Sequence, residues 1–157
     1  MEGAQNEVEE IYASLKDQPP HTAEQIERIK KLIYLYEVTF IHENHEETRK
    51  LVHPDYKQHD PLVGDGASSI IEFHETMKKK MAEDAAAIGK AVNLQFSWKR
   101  VFVDGDILIA QILSTRWDGD LGLSVIDIFR YQDGQFIEHW DAIQEVPPFS
   151  NNSNGLF

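Results

Sequence analysis

Residues 124–144, SVIDIFRYQDGQFIEHWDAIQ, decide the fold. Two runs rich in β-branched and aromatic residues flank Gln132-Asp133-Gly134, a segment with hairpin turn chemistry. The same strands carry Asp127, His139 and Asp141 among apolar neighbours. Bare carboxylates are costly there, so the pattern predicts a pocket that uses or pairs them.

Strand side chains alternate with a period of two, so the turn decides which residues share a face. A two-residue Asp133-Gly134 turn pairs Gln132 with Gln135 and sets Asp127 opposite Trp140. A three-residue loop with Gly134 in a left-handed bulge pairs Tyr131 with Gln135 and sets Asp127 opposite His139. The second register is preferred because it gathers Val125, Asp127, Phe129, Ile137, His139, Asp141 and Ile143 on one largely apolar face. Ile126, Ile128, Arg130, Glu138 and Trp140 then share the other face, with Arg130 and Glu138 as a cross-strand pair. An Asp127–His139 pairing follows from the same register.

Working outward, strand periodicity runs over 92–103 and 107–117, separated by Asp104-Gly105-Asp106 and followed by Asp118-Gly119-Asp120. With the hairpin this makes an antiparallel meander of four strands. Upstream, Thr22 and Gln25 have capping-box spacing. Ile26, Ile29, Ile33, Tyr36 and Phe40 form an apolar stripe, predicting one helix toward about Lys50. Ser69 and Glu72 suggest a second capping box. They open a helix carrying Ile70, Phe73, Met77, Met81, Ala85 and Ile88 that ends near Gly89. Residues 53–61, with two prolines, are a loop or short edge strand. A short helix is expected over 7–16, stopped by Pro19-Pro20. Helices followed by strands give an α+β domain whose helices cover one sheet face. The expected layout is an extension at 1–21, one domain at 22–149 and a tail at 150–157.

The 157 residues suit one domain, and the net charge of −12 argues against nucleic acid as a partner. Lys78-Lys79-Lys80 is a short basic cluster, read as a solvated helix face. The chain has no cysteine, hence no disulfide or thiolate chemistry. The acidic start MEGAQNEVEE lacks signal-peptide character, and no apolar run is long enough to span a membrane, so a cytoplasmic protein without a membrane partner is expected.

The YKQHDP segment (56–61), the VFVDGDILIA turn (101–110) and DIFRYQDGQFIEHWDAIQ (127–144) resemble the SnoaL-like branch of the nuclear transport factor 2-like superfamily, over roughly residues 26–147. The resemblance implies a cone-shaped α+β barrel, a curved antiparallel sheet wrapped around helices with an apolar pocket at its wide end. It further implies a homodimer through the outer sheet face. The best-understood members are polyketide cyclases that close a ring by aldol condensation without metal or cofactor. Asp141 matches their late-strand acid/base aspartate, Asp127 matches another pocket position, and Tyr56 and His59 match the early pocket-lining segment. Gln111 stands near a position where relatives often carry histidine. The 1–21 extension falls outside the common pattern; it could cover the pocket mouth or extend the dimer.

Aldol chemistry needs a base beside a carbonyl, and a desolvated carboxylate suits that step. Asp141 is the candidate base. His139 could polarise the carbonyl or return the proton, with Asp127 fixing its tautomer. Tyr56, His59, His74, Gln111 and Phe129 complete the candidate binding residues for a small apolar carbonyl compound, although His74, on the apolar stripe of its helix, also reads as a core histidine. His42, Glu43 and His45 lack the His-Glu-x-x-His arrangement and read as a solvated face rather than a metal site. Three functions remain open on these residues: a cofactor-independent cyclase or isomerase, a non-catalytic small-molecule binder, and a dimeric interaction module.

Overall fold

A computed structural model describes residues 2–157. Helix α1 (Glu2–Ser14) precedes α2 (Ala23–Tyr36), which runs into a π-helical turn at Glu37–Ile41. Helix α3 (His45–Leu51) leads into strand β1 (Val52–Gln58), followed by α4 (Ala67–Ala87). Strands β2 (Gln95–Asp104), β3 (Ile107–Thr115), β4 (Leu123–Gln132) and β5 (Gln135–Glu145) then form the meander. The architecture is α+β. The sheet order is β1-β5-β4-β3-β2, with β1 parallel to β5 and every other pair antiparallel. The sheet is therefore mixed, since β1 adds a parallel edge strand whose Pro54 has no ladder N–H to lose.

The Thr22 capping box forms as expected: Gln25 N–H donates to the Thr22 hydroxyl, and Thr22 N–H donates to Gln25 Oε1. The expected single helix to Lys50 breaks at residues 42–44. His42 N–H bonds the Glu37 carbonyl at 2.8 Å, closing a π turn, and Glu43 adopts a left-handed φ of 52°. Asn44 then caps α3 afresh, accepting from Glu47 N–H at 3.2 Å. The Ser69 capping box does not form. Helix α4 begins three residues earlier than that box implies, at Ala67 with Gly66 as its N-cap, and the Ser69 hydroxyl donates to the Asp65 carbonyl at 2.7 Å.

Apolar faces meet between α2 and the inner sheet face. Ile29, Leu32 and Ile33 pack in one cluster with Val52, Val101, Leu108, Ala110, Ile112 and Phe136, all fully buried. Each such side chain contributes about 1.5–3 kcal/mol of burial free energy before chain entropy is counted. Ala4 and Val8 bring α1 into the same cluster, and Lys30 of α2 reaches Glu9 of α1 at 2.6 Å. Helix α1 thus packs beside α2, while Asp17, Gln18 and His21 bond to Arg100 and Val101 of β2.

The hairpin register differs from both expectations. Asp133 (φ 49°) and Gly134 (φ 85°) form a two-residue turn pairing Gln132 with Gln135, and the positive φ at both positions is the I′ geometry that Asp-Gly favours. Tyr131 pairs with Phe136, but Arg130 pairs with Glu138. Ile137 is the extra residue of a β-bulge. Beyond it Phe129 faces His139 and Asp127 faces Asp141. The bulge restores the expected face for His139, Asp141 and Ile143, while Phe136 takes the inward place expected for Ile137. Arg130 Nε meets Glu138 Oε2 at 3.1 Å on the outer face.

Candidate functional site

The inner ends of β4 and β5, the π turn, β1 and α4 enclose a cavity of about 130 Å³. Its wall is mostly apolar: Phe40 from the π turn, Ile70, Phe73 and Met77 from α4, and Phe96, Ile112 and Phe129 from the sheet. Polar groups converge on one side, Asp127, His139 and Asp141 from the hairpin and Tyr56, Gln58 and Asp60 from β1 and the residues after it.

Asp127 and His139 are 3% and 8% exposed, so their hydrogen bonds fix their chemistry. The Tyr36 hydroxyl donates to Asp127 Oδ2, and His139 Nε2 lies 3.2 Å from Asp127 Oδ1. His139 Nδ1 lies 2.8 Å from Gln58 Oε1. That amide atom also receives the backbone N–H groups of His59 and Asp60, at 2.9 and 3.1 Å, which identifies it as the oxygen. His139 Nδ1 must therefore carry a proton. Its Nε2 faces the Asp127 carboxyl, the position from which an acid/base imidazole exchanges protons.

Asp141 is half-buried beside this network. One atom each of Asp127, His139 and Asp141 lie within 4.8 Å of one another. Burial pushes the Asp141 carboxyl up to about 6; His139 opposes the shift, while Asp60 and Asp127 reinforce it by charge and Asp60 also by a hydrogen bond. The 1%-exposed Tyr56 stands close enough to feel that charge. Burial first, then Asp141, holds its phenol well above the ordinary range, so it stays a neutral hydrogen-bond donor. A desolvated carboxylate beside a neutral phenol and a doubly bonded imidazole is equipped to move protons at a carbonyl compound.

The structure brings Asp127, His139, Asp141, Tyr56 and Phe129 to the cavity wall. Three other candidates lie elsewhere. His59 follows inward-pointing Gln58, so alternation turns it outward, where it stacks on Trp140 at 4.7 Å and meets Glu138 at 3.0 Å. Gln111 alternates with buried Ala110 and Ile112 and so faces outward, accepting from Arg100 at 2.5 Å. His74 is 1% exposed but packs behind the wall, edge-on to Phe40 at 5.5 Å, and burial pushes its pKa down. Sequence reasoning missed Tyr36 and Gln58. The alternation of Tyr56, Gln58 and Asp60 was available as a signal once 53–58 was taken as a strand. Tyr36 gave none beyond its place on an apolar stripe.

No family model and no curated protein matches the chain. Solved structures do. TsrD from Streptomyces laurentii superposes with a TM-score of 0.56 at 18% identity, covering 79% of this chain and 91% of its own. A proposed polyketide cyclase from Bacillus cereus gives 0.56 at 15% identity, covering 82% and 83%. A proposed ketosteroid isomerase from Kribbella flavida gives 0.54 at 18%, covering 80% and 84%. Identities this low speak to architecture. The chain therefore shares the α+β fold of these proteins, the nuclear transport factor 2-like fold.

Proposed function

We propose that the cavity is the active site of a cofactor-independent acid/base enzyme acting on a small, largely apolar carbonyl compound, of the aldol-cyclase or isomerase type. The observation that carries this reading is Asp141, a carboxyl pushed up to about 6 at the edge of an apolar cavity. Ionised near neutral pH, it takes the proton from the carbon next to the substrate carbonyl. The electron pair moves onto the carbonyl oxygen, where the Tyr56 phenol donates a hydrogen bond to the enolate. In a cyclisation the enolate carbon attacks a second carbonyl, and His139 protonates the new alkoxide from Nε2. In an isomerisation Asp141 returns its proton to a different carbon. The names of the similar structures, polyketide cyclase and ketosteroid isomerase, support both variants.

The test is a screen of diketones able to cyclise, and of unsaturated ketones able to isomerise, with wild type and Asp141→Asn. Expected is turnover whose kcat/KM rises with pH through about 6 and which falls by about 10²–10⁴-fold in the variant. Turnover that survives the substitution removes Asp141 as the base. Tight binding without turnover would make the protein a small-molecule carrier.

A cytoplasmic homodimer through the outer sheet face belongs to the same reading. Phe102, Ile109, Ile128 and Trp140 stand opposite one another in a continuous row across β2, β3, β4 and β5. Phe102 and Ile109 are 40% and 36% exposed, an apolar surface suited to a partner copy. Among the described residues no helix is long and apolar enough to cross a membrane. Sedimentation of the wild type against Phe102→Glu tests the dimer; a wild-type monomer refutes it.

A further inference from the structure

A second polar cluster lies behind the cavity wall, where α3 meets α4. The buried Nδ1 of His74 and Nε2 of His45 have no hydrogen-bond partner among the described residues. Leaving such nitrogens unpaired costs about 1–3 kcal/mol each. His45 Nε2 stands 3.6 Å from Glu75 Oε1, too far for a hydrogen bond. The two imidazole rings meet edge-on, 6.3 Å between centroids at 82°. One donor atom from each of His45, His74 and Glu75 lies within 4.8 Å of the others.

Two atoms bound to one tetrahedral ion at roughly 2.0–2.2 Å stand about 3.4 Å apart. The His45–Glu75 separation already has that size, and a modest side-chain rotation brings in His74. We propose that His45, His74 and Glu75 form a binding site for a divalent cation of the zinc class, with water completing the tetrahedron. Two imidazoles and one carboxylate are a donor set that zinc takes readily. In the cavity triad, by contrast, both nitrogens of His139 are already engaged.

Among the charges around His74, Glu43 and Glu75 favour a cation and Lys78 opposes one. Glu43 adds negative potential toward His74, and Lys78 is held at 2.6 Å by Glu43. His42, close in sequence, is not part of the site, because its Nε2 meets Glu7 at 2.6 Å. The ion would tie α3, which starts just after the break at 42–44, to α4, whose Ile70, Phe73 and Met77 line the cavity. His74 also abuts Phe40, so the site braces the wall from behind.

The test is a titration of the chelator-treated full chain with Co²⁺ and Zn²⁺, followed by visible absorption, calorimetry and thermal melting. Expected are one ion per chain, the absorption bands of tetrahedral Co²⁺, and a raised Tm with Zn²⁺. His45→Gln and Glu75→Gln, at partly exposed positions, should each weaken binding by about 10–100-fold or more, and His42→Gln should leave it unchanged. Folded wild type that gives no Co²⁺ bands at equimolar metal, or binding lost with His42 rather than with His45, overturns the proposal.

Discussion

Replacing Asp141 with Asn should stabilise the protein at neutral pH while removing the proposed base. The carboxyl has an ordinary value of 3.8 and is pushed up to about 6 in the folded chain. The folded state thus binds the proton about a hundredfold more tightly than the unfolded chain, which at 1.36 kcal/mol per tenfold is about 3 kcal/mol. Asp141 keeps some contact with water, so that figure is an upper bound and about 1–3 kcal/mol is expected. Below pH 3.8 both states hold the proton and the substitution should be nearly neutral. Between 3.8 and about 6 only the folded state holds it, so wild-type stability falls as pH rises. Above that window the cost of burying the ionised group is complete, and Asn, which carries no charge, avoids it. Urea denaturation of both proteins across this window reads Asp141 together with the neighbours coupled to it, Asp60, Asp127 and His139, while the remaining titrating groups cancel between the two curves. A stability difference that stays flat from acid to neutral pH would falsify the assignment of Asp141 as a desolvated, functionally poised carboxyl.

Three further outcomes are expected. Gly122 has a φ of 85°, and a Cβ there would press on the Ser114 carbonyl and stand 2.8 Å from Leu113 Cδ1; Gly122→Ala should cost more than the roughly 1–2 kcal/mol of a left-handed alanine alone. Gly134→Ala, with the same φ and open space around it, serves as the control in a thermal-melt comparison. Glu37 is 6% exposed and burial pushes it up to about 7, with Glu7 reinforcing the shift. Wild type should therefore lose about 3 kcal/mol or less as pH rises from 4.5 to about 7; Glu37→Gln should flatten that decline, and an unchanged slope in chemical denaturation contradicts it. Asp127→Ala strands the Tyr36 hydroxyl and His139 Nε2 in the interior and should destabilise by about 2–4 kcal/mol. A double-mutant cycle with Tyr36→Phe that shows no coupling would contradict the network.

Much of the architecture was legible because local chemistry and global packing agree. The Thr22 box, the apolar stripes and the strand runs each pointed to one type of element, although the hairpin turn left two registers open. The break after Ile41 was hidden, because Thr39 and Thr48 sit on a continuous polar-apolar pattern and only folding brings their hydroxyls to 2.9 Å. Alternation put Asp127, His139 and Asp141 on one face, as the structure has them, but it was not applied to His59 and Gln111, which face outward. Gln111 came from a resemblance, without regard to the parity set by Ala110 and Ile112, and His59 from a segment not yet recognised as a strand. The contact between Tyr36 and Asp127 spans most of the chain and no spacing rule reaches it.

The bulge at Ile137 makes the site sensitive to length rather than to composition. Forcing Ile137 into a regular ladder would leave every side chain of the hairpin chemically intact, yet would pair Asp127 with Trp140, turn His139 and Asp141 toward solvent and swing the indole of Trp140 into the cavity. An alignment to any relative that places no gap here, or a graft of this hairpin onto another scaffold that straightens it, would carry over the right letters on the wrong side of the sheet. Inheritance of the site therefore depends on counting residues between Gly134 and Asp141.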